Sequence, residues 1–190
     1  MSRIYLIRHG KPASTWGQEG DPDPGLDDAG AAQARAVAQA LMALPETERP
    51  DRVISSPLAR CRETAQPTAD ALGVPVEVDA LVGEIPTPQA LSSADRGGWL
   101  RKAFAGKWSE IEGDLDYEEW RRDVARAVGS RENAAVFSHY VAINAVLTHL
   151  AGEEQVMTFR PDHASITVFD LQDGQLSLVE RGPEATTGVL

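Results

Sequence analysis

The chain holds four histidines in 190 residues, and two of them follow short apolar runs. Ile4-Tyr5-Leu6-Ile7 leads into Arg8-His9-Gly10, and Ala134-Ala135-Val136-Phe137-Ser138 leads into His139. Each run reads as a buried strand. Each imidazole therefore emerges at the carboxyl end of a strand, the edge where open α/β sheets bind ligands. An imidazole nitrogen can accept a phosphoryl group covalently, and a guanidinium meets phosphate oxygens through a planar fork of donors. His9 is the candidate nucleophile, and Arg8 and Arg60 are candidate clamps. His139, as a cation, is the candidate stabiliser of charge on the transferred group. Taken alone, Arg8-His9-Gly10 reads slightly better as a buried histidine that happens to follow an arginine. The rest of the chain reverses that preference.

Longer stretches carry a family likeness. Arg8-His9-Gly10, then Ser55-Ser56-Pro57-Leu58-Ala59-Arg60-Cys61-Arg62-Glu63-Thr64-Ala65, then Ser138-His139 resemble the histidine phosphatase superfamily, also called phosphoglycerate mutase-like. Leu26-Asp27-Asp28-Ala29-Gly30 and Ala164-Ser165-Ile166-Thr167 resemble two further segments of it. The likeness covers nearly the whole chain in the right order. It implies that His9 becomes phosphorylated in a pocket formed with Arg8, Arg60 and His139, without a metal or other cofactor. It implies too that a carboxylate after the third strand protonates the leaving group. Glu84, in Val82-Gly83-Glu84-Ile85, is the match for that carboxylate, and Glu63 is its rival, although the helix position of Glu63 also suits an ion pair.

The chain departs from the family pattern at four places. Lys11 and Thr15 stand where mutases carry an acidic residue and an asparagine; Pro86-Thr87-Pro88 follows Glu84; and Tyr140 follows His139 where glycine is commoner. Lys11 either adds charge to the pocket or points to solvent, and Tyr140 either narrows the pocket or packs away. The implied activity is hydrolysis of a small phosphorylated substrate through a phosphohistidine. Mutase-type transfer and non-catalytic binding of a phosphorylated ligand are the alternatives. His9, Arg8, Arg60 and His139 should then converge on one cavity, with Glu84 at its rim.

Cys61 suggests a cysteine-dependent phosphatase, but that chemistry needs an arginine six positions on, and position 67 is Pro67. Cys61 reads instead as a small packed residue. Arg62 reads as solvated or ion-paired, His149 as a structural helix residue, and His163 as a loop residue.

These groups must be positioned by the elements between them. Asp27 or Asp28 caps a helix running to about Leu44, and Asp51–Ser55 is a second strand. Ser56-Pro57 opens a helix that Pro67 should kink or interrupt before it closes near Gly73. Val74–Val82 alternates as a strand, Tyr117–Val128 is an amphipathic helix, and Val141–Leu150 is the helix after His139. Ala164–Leu171 and Leu176–Arg181 flank Asp173-Gly174, a hairpin signal. This order implies a single domain over residues 1–190 with a three-layer α/β/α fold and a mostly parallel sheet. Residues 85–113, with Trp99, Trp108, Arg96, Arg101, Lys102 and Lys107, read as a lid-like insertion or as ordinary packing with a solvated face.

Composition narrows the function further. A net charge of −11 argues against nucleic acid as partner. It also predicts little electrostatic steering of an anionic substrate. No run approaches the roughly 20 apolar residues that span a bilayer. The first strand leaves no room for a signal peptide, and one cysteine allows no internal disulfide. Together these predict a cytoplasmic protein that does not bind membranes.

Overall fold

Alternate side chains of the first strand, β1 (Ser2–Arg8), enter two separate apolar clusters. Ile4 and Leu6 face one, Tyr5 and Ile7 the other, and all four are essentially inaccessible. A strand buried on both faces needs helices above and below it. The computed structural model, which describes residues 2–14 and 21–186, supplies them. Val37 and Leu41 of α1 (Asp28–Met42) and Ala65 and Ala69 of α2 (Ala59–Leu72) close one face. Val124 and Val128 of α4 (Tyr117–Gly129) and Ile143 and Val146 of α5 (Tyr140–Ala151) close the other. The three-layer α/β/α arrangement is as expected.

The sheet has six strands in the order β3-β2-β4-β1-β5-β6, with β2 Arg52–Ser55, β3 Val76–Val78, β4 Ala134–Ser138, β5 Ile166–Gln172 and β6 Gln175–Glu180. The first four are mutually parallel; β5 runs antiparallel to β1, and β6, antiparallel to β5, returns to the direction of the first four. β4 enters between β1 and β2. Arg8 is level with Ser138, and Ser55 with Phe137. The ladder continues one residue beyond the strands: His9 N–H donates to the Ser138 carbonyl and Ser56 N–H to that of Phe137, each at 3.0 Å.

Element ends differ from the sequence reading for local reasons. Asp27 is the cap of α1, accepting from Gly30 N–H at 2.7 Å. α2 begins at Ala59, because Ser56 still belongs to the ladder and Leu58 is extended. Pro67 lies inside α2 without ending it, and Gly73, at φ 70, closes the helix. Of Val74–Val82 only Val76–Val78 pairs with β2; Asp79 then caps a 3-10 turn over Ala80–Val82. β5 begins at Ile166 because Ala164 sits at φ 58, outside strand geometry. Asp173 and Gly174 both have positive φ, as a two-residue hairpin turn requires.

Residues 85–113 include α3 (Ser93–Ala105) and a 3-10 turn over Trp108–Glu110. Ile85, Leu100 and Trp108 are buried in the cluster shared with α4 and α5, and the Trp108 indole donates to Thr148 at 3.0 Å. Trp99 is half-buried, and Arg101 and Lys102 are exposed. Among the described residues no helix is long and apolar enough to cross a membrane.

Candidate active site

The parallel strands end at one edge of the sheet, and their next residues gather there. Arg8 ends β1 and His9 follows it, His139 leaves β4, Ser56 leaves β2, and Arg60 sits in the first turn of α2. All five are buried. Glu84 follows the turn after β3, with a side chain 11% exposed.

His9 lies at the centre. Its Nδ1 is 2.8 Å from the Gly10 carbonyl, so Nδ1 carries the hydrogen and Nε2 keeps its lone pair. Arg60 Nε donates to that Nε2 at 3.2 Å. Burial drives the His9 imidazole well below its usual range, and His139, Arg60 and Arg8 push the same way. His9 is neutral, as a nucleophile must be. Gly10 is fixed in turn by its N–H, which donates to Thr64 Oγ1 at 2.9 Å. It packs so closely on α1 that a Cβ at Gly10 would stand 2.8 Å from the Gly30 carbonyl.

His139 and Glu84 meet on the Arg60 side. Glu84 Oε2 is 3.3 Å from His139 Nδ1 and 3.4 Å from Arg60 Nη2. Burial alone would raise the Glu84 carboxyl, but His139 beside it and the Arg60 guanidinium outweigh burial and hold it at about 2. Burial likewise lowers His139 below 6.5, against the opposing pull of Glu84. That direction favours the uncharged form of the His139 imidazole. Its Nε2 lies 2.7 Å from Ser56 Oγ and 3.3 Å from Cys61 Sγ. Burial pushes the Cys61 thiol above its usual range, so it packs as a thiol, in keeping with the sequence reading.

Arg8 is held on the other side. Nη1 donates to the Pro161 carbonyl at 2.9 Å, Nη2 lies 3.0 Å from His163 Nε2, and the Tyr140 ring is 5.0 Å from the guanidinium carbon. Burial brings Arg8 down to about 10, still charged at neutral pH. Tyr140 therefore packs on the Arg8 guanidinium. The loop carrying Pro161 and His163 is tied to α5 by Asn144. Its Oδ1 accepts from the N–H groups of Thr158 and Phe159, and its Nδ2 donates to the Phe159 carbonyl.

The geometry brings together all five predicted residues, Arg8, His9, Arg60, Glu84 and His139. It also adds one that sequence reasoning placed in a loop. The ring of His163 lies 5.8 Å from that of His9, close to the 5.3 Å separating His9 from His139. What brings it there is the antiparallel pairing of β5 with β1, which sets the start of β5 beside the end of β1; no local sequence pattern signalled it. Glu63 faces elsewhere, accepting from Leu26 N–H at 2.7 Å. Lys11 pairs with Asp27 at 2.8 Å and is more than half exposed. His149 is exposed in the last turn of α5 and not a packed structural residue, and Arg62 is exposed. Thr15 lies outside the described residues. Among those residues no group of three or more His, Cys, Asp or Glu is placed to hold a metal ion.

A three-layer fold with these groups at its parallel-strand edge defines a class, and comparison with known proteins gives it a name. The chain belongs to the histidine phosphatase superfamily (branch 1), whose pattern it matches over residues 4–182. It is 38% identical to the transcription factor tau 55 kDa subunit of Saccharomyces cerevisiae over 44% of this chain and 21% of that one. It is 31% identical to the 2,3-bisphosphoglycerate-dependent phosphoglycerate mutase of Thermoplasma acidophilum over 64% of each. The chain thus spans less than two thirds of either relative. A phosphoserine phosphatase from Entamoeba histolytica, solved with 3-phosphoglyceric acid, shares the fold at a TM-score of 0.75 and 23% identity, covering 96% of this chain and 98% of that one.

Proposed function

We propose that this protein hydrolyses small phosphomonoesters through a phosphohistidine on His9. The observation that carries the reading is the pair of bonds on one ring: Nδ1–H fixed on Gly10, and the Nε2 lone pair facing the Arg60 guanidinium. His9 Nε2 attacks phosphorus and the bond to the leaving oxygen breaks. Arg8, Arg60 and His139 hold the equatorial oxygens, where charge is stabilised as transfer proceeds. Glu84 gives its proton to the departing alkoxide. Water then attacks the phosphohistidine, Glu84 takes the water's proton, and the P–N bond breaks to release inorganic phosphate. No metal is needed in this scheme.

Glu84 is ionised in the free protein, so it must gain its proton as substrate binds. A phosphoryl dianion competes with the carboxylate for Arg60 and for His139, which raises the carboxyl. Residues 85–113 would select the leaving group, as inserted segments often do on a shared core. We place the protein in the cytoplasm, where Cys61 stays reduced, and we assign it no nucleic-acid partner, given its net charge of −11.

Likeness to a phosphoglycerate mutase favours a second reading, in which the phosphoryl group returns to an isomeric acceptor in place of water. Two measurements separate the readings. A panel of phosphorylated metabolites is screened for phosphate release with trapping of phospho-His9, and 3-phosphoglycerate is followed for 2-phosphoglycerate against free phosphate. Hydrolysis with labelled His9 is expected. Isomerisation faster than release would establish the mutase. Ligand binding with His9 never labelled would make the protein a binder.

A further inference from the structure

We propose that His163 is a positioning residue of the phosphoryl pocket, its neutral imidazole accepting an N–H from Arg8 and holding that guanidinium beside His9. The proposal rests on the phosphatase reading and adds a residue to it.

A guanidinium has donors and no acceptor. At 3.0 Å from Arg8 Nη2, the His163 Nε2 must therefore supply the lone pair. That assigns the hydrogen to Nδ1 and requires a neutral ring, since a protonated ring would set one cation's N–H against another's. Arg8 and Arg60 are held differently. Arg60 leans on the Glu84 carboxylate. Among the described residues the polar partners of Arg8 are a carbonyl and an imidazole, and its Nε has none. A neutral acceptor orients the cation without neutralising it, leaving its charge for the phosphoryl oxygens. The turn that carries His163 is tied to the nucleophile's own backbone, because Ala164 N–H donates to the His9 carbonyl at 3.2 Å. Burial lowers the His163 ring most, Arg8 on β1 and Lys11 after β1 act in the same sense, and Asp162 in its own loop and Asp27 before α1 oppose them, leaving it at about 4; the His9 ring faces it at 5.8 Å.

The test combines one spectrum with two variants. Nitrogen NMR of the wild-type ring should show Nδ1 protonated and Nε2 bare at neutral pH, and a titration should place ring protonation well below that of an exposed histidine. His163→Ala should weaken inorganic phosphate binding by about tenfold, and His163→Asn, which keeps an acceptor oxygen, should recover most of that loss. A proton on Nε2, a cationic ring at neutral pH, an unchanged phosphate affinity in His163→Ala, or a loss that asparagine does not recover would each overturn the proposal. If the wild type cleaves no ester on the panel, the phosphatase reading fails by itself, and the ring-nitrogen spectrum still decides how Arg8 is held.

Discussion

Arg60 Nε directs its hydrogen at the Nε2 lone pair of His9, 3.2 Å away. The nitrogen that would attack phosphorus is engaged, in the free protein, by the group that would clamp the phosphoryl oxygens. A substrate must enter between them and replace an N–H···N contact with N–H···O⁻, which is shorter and stronger. His9→Ala should therefore abolish turnover and phosphoenzyme formation with the fold retained. Arg60→Ala should lower kcat/KM by about 10²- to 10³-fold, and its His9 should titrate at higher pH because a neighbouring cation is gone. Phosphate-release kinetics and histidine NMR titrations read both effects.

Glu84 stands between Arg60 and His139, and its proposed role depends on the leaving group. Glu84→Gln keeps the shape and removes the transferable proton. Turnover of alkyl phosphates, whose leaving oxygen needs a proton, should fall by about 10²- to 10⁴-fold. Aryl esters with acidic leaving groups should react nearly as before in the phosphorylation step. Single-turnover rates across a series of esters check this, and an equal fall for both types would remove Glu84 from the acid's place.

Buried neutral imidazoles make stability depend on pH with a defined sign. Burial lowers His9, His139 and His163 beneath the usual 6.5, His163 to about 4. Between 6.5 and those folded values the unfolded chain binds more protons than the folded one, so stability falls as pH falls through that window. Glu84, held at about 2 against a usual 4.5, extends the loss from 4.5 downward. The melting temperature should be level around neutrality, decline below pH 6.5 and steepen below 4.5. His163→Asn should flatten part of the first decline, and scanning calorimetry over pH measures it.

Asn144 is fully buried and ties the loop that grips Arg8 to α5. Asn144→Ala would strand the Thr158 and Phe159 N–H groups and the Phe159 carbonyl, at a cost of about 2–4 kcal/mol in unfolding free energy. The loosened loop should also weaken phosphate binding, since Pro161 and His163 orient Arg8. Urea unfolding and phosphate titration test the two effects separately.

Much of this site could be read in one dimension. Arg8-His9-Gly10 and Ser138-His139 each follow an apolar run that could only be a buried strand, and such a strand delivers its next residue to the sheet's edge. The segment from Ser55 to Ala65 tied Arg60 to the helix after β2. Glu84 was harder to read. Its backbone follows a 3-10 turn where alternation suggested more strand, because Asp79 caps that turn locally.

Sequence by itself determined the layers, the parallel-strand edge and four of the pocket's side chains: Arg8, His9 and His139 from local periodicity and the residues that end strands, and Arg60 from the Ser55–Ala65 segment that resembles the family. Only the tertiary structure decided that β4 enters between β1 and β2, which sets His139 near Arg60, 79 residues away in the chain. It alone decided that β5 runs back beside β1 and brings His163 onto Arg8, 155 residues away. Strand order and direction arise from pairings between distant segments, and no local pattern of residues records which segments will meet. The electrostatics of the site follow from the same packing: burial lowers the three imidazoles, while His139 and Arg60 beside Glu84 outweigh burial and lower its carboxyl.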